Sequence, residues 1–167
     1  MQQLILDYVR YNHWANHRII QMVEHLTDQQ FTQQIVSSFP SVKLTLLHIW
    51  DAQMIWLSRM KGASLSNFPS RHFSGTRQDV TQKLEASSTD FLSFTAALNT
   101  KQLEAVCHYK TTSGSEMAQT FAEIIMHCMN HSTYHRGQVV TILRQLGTSG
   151  VVATDYIKYL REKKSKI

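Results

Sequence analysis

Between Thr120 and Leu146 the chain has no proline, and Phe121, Ile124, Ile125, Cys128, Val139, Ile142 and Leu143 recur at helical steps of three and four. This stripe predicts one long helix, stopped by Gly147 as a C-terminal cap. Gly137 lies well inside it, where a glycine costs about 0.5–1 kcal/mol relative to alanine, so a close approach to a neighbouring helix is expected there. The same helix carries His127, His131 and His135. An i, i+4 step turns a side chain by about 40° and lifts it about 6 Å, so two imidazoles so placed converge on one ion. His127 with His131, and His131 with His135, both satisfy that spacing, whereas His127 and His135 are about 12 Å apart along the axis. A first-row metal takes at least three protein ligands, so another element must contribute.

Six glycines and two prolines in 167 residues favour further long helices over a many-turned β fold. Residues 3–26 set Leu4, Tyr8, Tyr11, Ala15, Ile19, Met22 and Leu26 on one stripe. Thr27 and Gln30 have the form of a capping box, opening a short helical turn before a loop at Ser37–Pro40. A second long helix begins near Ser41, runs through Leu44, Leu47, His48, Trp50, Ile55 and Met60, and ends at Gly62. Residues 63–75 form a loop whose Arg71 and His72 either line a pocket mouth or face water. Thr76 or Ser74 caps a third helix with Val80, Leu84, Phe91 and Leu98 inward. Ala105–Tyr109 and Glu116–Gln119 flank Thr112–Ser115 as a β-hairpin or an extended loop, and Asp155 caps a short last helix, Tyr156–Lys163. The expected fold is all-α: a four-helix bundle spanning residues 1–167 as a single domain, up-down or with crossovers, with a short hairpin before the fourth helix and a short C-terminal helix.

His48 falls on the apolar side of the second long helix, between Leu44, Leu47, Asp51 and Ile55. Alone, a neutral histidine there is most often a core residue with a hydrogen-bond partner. Opposite an inward-facing HxxxH on another helix, it is what a metal site in a bundle core requires. His13 and His17 form a rival HxxxH in the first helix, but nothing else beside them looks like a site, and exposed or capping histidines are the simpler reading.

The net charge of +5 does not by itself indicate nucleic acid. The cations are spread along the chain, and one cluster, Lys158, Arg161, Lys163, Lys164 and Lys166, suits the negative pole of a last helix; no wide basic face with stacking aromatics accompanies it. Cys107 and Cys128 are too few for a disulfide scaffold and form no CxxC pair, which fits buried apolar residues in a reducing compartment. The N-terminal residues lack a basic region followed by an apolar run, and no segment approaches the roughly 18–20 apolar residues of a membrane span. A cytoplasmic protein that binds neither membrane nor nucleic acid is expected.

Several of these segments together resemble the DinB/YfiT-like family. They are Tyr11-Asn12-His13-Trp14-Ala15-Asn16; Leu46-Leu47-His48-Ile49-Trp50 with Trp56-Leu57-Ser58-Arg59-Met60-Lys61-Gly62; His127, Asn130, His131, Tyr134 and the run His135-Arg136-Gly137-Gln138; Leu143-Arg144-Gln145-Leu146-Gly147; and Asp155-Tyr156-Ile157 with Tyr159-Leu160. The resemblance covers nearly the whole chain, and it implies a four-helix bundle, often a homodimer, with a divalent metal held by His48, His131 and His135. His127 then becomes a neighbour of the site. The loop Thr148–Thr154 departs from the family pattern in lacking prolines.

Three neutral imidazoles leave a divalent ion its full charge and an open coordination position; Zn²⁺, Ni²⁺, Fe²⁺ and Mn²⁺ all suit such a set. Asp51, Asn16, Asn130, Gln138 and Glu123 are candidates to orient the ligand rings. Arg136 and Arg59 either meet an anionic group at the pocket mouth or face water. Relatives resembling thiol transferases imply activation of a low-molecular-weight thiol for attack on an electrophilic small-molecule substrate. A metal-dependent hydrolase is the alternative, although no HExxH-type carboxylate accompanies the histidines. A non-catalytic metal-binding role in a damage-induced stress response is the third reading, and a cavity beside the metal discriminates against it.

Overall fold

The computed structural model describes residues 1–63, 65, 67–111 and 113–165. Thr112 of the expected hairpin turn and Lys166 of the basic cluster lie outside the described residues. The chain forms α1 (Gln2–Glu24), α2 (Asp28–Thr32), α3 (Val42–Met60), a 3₁₀ turn (Pro69–His72), α4 (Arg77–Ala96), α5 (Thr100–Leu103), β1 (Val106–Lys110), β2 (Glu116–Thr120), α6 (Phe121–Gln145) and α7 (Tyr156–Lys164). The strands pair antiparallel from Val106 opposite Thr120 to Lys110 opposite Glu116.

Local chemistry sets most of these boundaries. Capping boxes start α2 at Thr27, α4 at Thr76, α5 at Asn99 and α6 at Thr120, each satisfying two backbone donors that the helix leaves open. Ser41 caps α3 through Leu44 N. Gly62 and Gly147, with φ of +76° and +71°, follow the ends of α3 and α6 in the left-handed conformation that glycine adopts without strain. Asp155 stands at the N-cap of α7, but its side chain makes no capping bond.

The four long helices contact one another in the ring α1–α4–α3–α6, closed by α6 against α1. Consecutive helices α1 and α3 therefore lie across a diagonal, as do α4 and α6, and the two long connections carrying α2 and the hairpin make these crossings. Only α3 and α4 are joined as sequential neighbours. The bundle is thus the crossover variant.

Two apolar clusters occupy successive levels of the ring. One includes Ile19, Val23, Leu46, Ile49, Leu84 and Ile142, the other Val9, Leu57, Phe91, Ile124, Ile125 and Met129. Between these levels every long helix carries buried polar residues: Asn12 and Asn16 on α1, Gln53 on α3, Ser87 and Ser88 on α4, Ser132 and Arg136 on α6. Arg136, only 1% exposed, donates through Nη1 to Asn12 Oδ1 and Asn16 Oδ1 (2.9 Å), and through Nη2 to Thr133 Oγ1. Asn16 Nδ2 donates to Ser88 Oγ, and Ser87 Oγ donates to Gln53 Oε1. This layer ties all four helices together at one height.

Three expectations are corrected here. Arg136 neither lines a pocket mouth nor faces water, because it follows Cys128 and Ser132 along the buried stripe of α6. Gly137 makes no close approach: a Cβ built on it meets nothing within 4 Å, since it lies on the outer side of α6, and nothing in the structure requires glycine there. Leu4, placed on the inward stripe of α1, is 68% exposed, because α1 turns the adjacent Ile5, 5% exposed, into the core at that level. The loop Thr148–Thr154 packs on α1, where Tyr11 Oη donates to Thr154 O.

Replacing Asn16 with alanine removes partners of both Arg136 and Ser88 inside the core. A loss of about 2–3 kcal/mol in urea unfolding is expected from stranding buried polar groups, one of them charged. Thr89→Ala, on an exposed bond to His13, is expected to stay within about 0.5 kcal/mol of the native chain.

Candidate metal centre

His48 projects from α3 toward α6, which presents His131 and His135 one turn apart. The three rings point the same nitrogen at one another: Nε2 of His131 lies 3.0 Å from Nε2 of His48 and 3.1 Å from Nε2 of His135. One ligand atom from each falls within 4.8 Å of the others, and among the described residues no other group of three histidines, cysteines or carboxylates does so. A tetrahedral zinc with 2.0–2.1 Å bonds has nitrogen–nitrogen edges of about 3.4 Å, so a small outward shift of these rings accommodates an ion.

For one of the three rings, His135, a neighbour selects the tautomer that such an ion needs. Nδ1 of His135 lies 2.7 Å from Gln138 Oε1, and Gln138 Nε2 donates to Ser38 Oγ. With Nδ1–H donated to Gln138, the lone pair of neutral His135 is on Nε2. Phe39 stacks on His48, with ring centroids 4.0 Å apart and an interplanar angle of 22°, and meets His135 edge-on at 5.5 Å. The segment between α2 and α3 thereby closes one side of the triad. Nδ1 of His131 is buried with no partner, which leaves this ring oriented by packing and by what its Nε2 meets.

Electrostatics favours neutral donors. Burial, reinforced by the charge that His135 would carry, lowers the His48 pKa to about 4. Burial and the neighbouring His135, His48 and His127 lower that of His131 to about 3. His135 is lowered by burial too, with Gln138 partly opposing the shift. At neutral pH all three are free-base imidazoles, the form that ligates metals.

A pocket of about 310 Å³ reaches His48 and His131 of the triad, its other walls being Ala52, Ile55, Trp56, Arg59, Phe68, Tyr109 and Thr111. Its size is at the small end of the ligand-site range. The Arg59 guanidinium lies 4.5 Å from the ring centres of both Trp56 and Tyr109 and donates to Lys110 O. Arg71 and His72 are exposed and do not line this pocket.

Of the residues considered for orienting the ligands, Gln138 does so. Asp51 instead accepts from Ser70 N and Oγ, Asn16 serves Arg136, Glu123 completes the capping box of Thr120, and Asn130 is exposed. His127 packs edge-on against Trp56, 5.9 Å from the His131 ring, beside the triad rather than within it. His13 and His17 do have a potential ligand nearby: they lie 3.6 and 3.4 Å from Glu85 Oε1 on α4, although the three do not converge as the triad does. Phe39 escaped sequence reading because its loop carries no periodic pattern; the neighbouring Pro40 marks only a turn.

The histidine shifts give the metal-free protein a definite pH response. His48 and His131 resist protonation when folded but take up protons near pH 6.5 when unfolded. The stability this sets is therefore complete above about pH 6.5 and falls as the pH drops toward 4 and 3. Chemical unfolding of metal-free protein across that range is expected to show the decline, and a double His48→Phe, His131→Phe variant a flatter one.

The whole chain matches a known family, and the fold has solved relatives. The pattern of the DinB family covers residues 1–166. Protein DinB of Bacillus subtilis strain 168 is 28% identical over 165 residues, spanning 96% of this chain and 95% of that protein. A DinB-like protein from Bacillus cereus ATCC 10987 superposes with a TM-score of 0.65 at 20% identity, over 87% of this chain and 95% of the other. YfiT from Bacillus subtilis, described as a probable metal-dependent hydrolase with an unusual four-helix bundle topology, superposes with a TM-score of 0.64 at 14% identity, over 85% and 87% of the two chains. The structural likeness carries the four-helix-bundle fold, the sequence match carries the lineage, and this chain belongs to the DinB family.

Proposed function

We propose that His48, His131 and His135 hold one divalent metal ion, and that the chain is a metal-dependent transferase joining a low-molecular-weight thiol to an electrophilic small molecule. The observation that carries this reading is the access to the triad: Phe39 packs on His48 and His135, while a pocket large enough for a small substrate reaches His48 and His131. A sealed apolar surround would have favoured a purely structural ion. Zn²⁺, Ni²⁺, Fe²⁺ and Mn²⁺ are all compatible with three neutral nitrogen donors.

A divalent ion there supplies positive charge that favours the deprotonated form of a thiol or water arriving beside it. The protein's part is positional. Gln138 keeps Nε2 of His135 available, Phe39 packs on His48 and His135, and Ile55, Trp56, Phe68 and Tyr109 make walls that exclude water around a bound substrate. The pocket lining contains no carboxylate, so no side chain in it is suited to serve as a general base for water. A thiol, much more acidic than water, needs no such base, which ranks transfer above hydrolysis. The description of YfiT favours hydrolysis as the second reading.

Protein loaded with each metal in turn is assayed with cysteine or glutathione against a fluorogenic alkyl halide, and separately against activated esters. Metal-dependent conjugate, lost in His131→Ala, is the expected result; ester cleavage without conjugation supports the hydrolase, and neither activity in fully loaded protein supports a non-catalytic role. Gln138→Ala, which frees the His135 ring, is expected to weaken metal binding about 10- to 100-fold, read by competition with a chromogenic chelator.

A further inference from the structure

The pocket beside the triad has two chemically distinct ends. His48, Ala52, Ile55, Trp56 and Arg59 line it from one helix, α3, at positions that recur on a single face. His48 and Arg59 are eleven residues apart, a rise of about 16 Å along that helix; the arginine side chain leans back toward the helix N-terminus, and so toward His48. The pocket is a trough with the triad at one end and a guanidinium at the other.

Arg59 ties α3 to β1 through Tyr109 and Lys110 and also lines the pocket. Its Cζ lies 4.5 Å from the ring centres of Trp56 and Tyr109, which meet each other edge-to-face on one side of it. One of its N–H donors goes to Lys110 O. Among the described residues no carboxylate lies within 4.0 Å of it, although Arg10 and Arg18 each have one. The Tyr109 ring is itself pinned, its hydroxyl bonded to Gln119 Oε1. Pinned aromatic walls, a fixed cation with unused donors, and an absence of lining acid together make an anion site.

We infer that Arg59 binds a carboxylate carried by the substrate, so that the preferred thiol is an extended molecule with its sulfur at the triad and an anionic group at the far end of the trough. The inference rests on the metal-centre reading and narrows its substrate class. A two-carbon thiol cannot reach both ends; a peptide-sized one with a terminal carboxylate can.

The test uses zinc-loaded protein in which Trp14 and Trp50 are replaced by phenylalanine, so that the emission of Trp56 is the binding signal, and compares this parent chain with its Arg59→Gln and Arg59→Lys variants. The probes are glutathione, its diethyl ester, cysteamine, and adipate, a dicarboxylate without sulfur. Glutathione is expected to bind the parent chain about tenfold more tightly than its ester, as a charge-assisted hydrogen bond warrants. That preference is expected to vanish in Arg59→Gln and to persist in part in Arg59→Lys, with unchanged thermal melts showing that both variants fold. Equal binding of acid and ester by the parent chain, or the same preference in Arg59→Gln, overturns the inference. Should no thiol bind, adipate decides: Arg59-dependent binding of adipate keeps the anion site while removing the thiol reading, and its absence removes both.

Discussion

The buried guanidinium of Arg136 is the interaction on which the rest of the bundle depends. A charge taken out of water is tolerated only when its donors are met, and here the carbonyls of Asn12 and Asn16 and the hydroxyl of Thr133 meet most of them. Because these partners come from two helices, sliding α6 along α1 by a turn would strand the charge. Apolar contacts alone would permit such slides, since leucine and isoleucine stripes offer similar burial in several registers. The polar layer removes that freedom, and through Asn16, Ser88, Ser87 and Gln53 it extends the constraint to α4 and α3.

Register is what the triad needs. His48 comes from α3, His131 and His135 from α6, and their Nε2 atoms meet only while those two helices keep one relative height. Arg136 directly follows His135, so the residue that locks α6 in the bundle also fixes the height of the ligand ring. Burial then lowers the histidine pKa values and keeps the donors neutral, while Phe39 and the Ser38–Gln138 contact orient what register has brought together.

Much of this was legible in sequence because it rests on local rules. The stripes of α1, α3, α4 and α6, the capping box at Thr27, the starts of α4 and α6 near Thr76 and Thr120, and the terminating Gly62 and Gly147 follow from helix periodicity and from unsatisfied backbone groups. The choice between His127 and His135 was not legible from spacing, since both lie one turn from His131; it is decided by the height at which α3 crosses. The burial of Arg136 was readable in principle from its spacing to Cys128 and Ser132, but its charge argued for the surface and its partners lie on a helix more than a hundred residues away in sequence. Gln138 was recognisable only by residue type. Phe39 and the diagonal connections depend on how loops cross the bundle, which no periodic pattern records.

The triad as a metal centre is the central claim, and metal stoichiometry tests it most directly. Chain purified without a histidine tag is analysed for its elements as isolated and again after equilibration with zinc or nickel and removal of excess, alongside His48→Ala and His131→Ala. The account predicts about one divalent ion per native chain and its loss in both variants while their helical content is retained. A native chain that takes up neither metal, or variants that bind as the native chain does, would contradict it and leave three buried histidines held by packing alone.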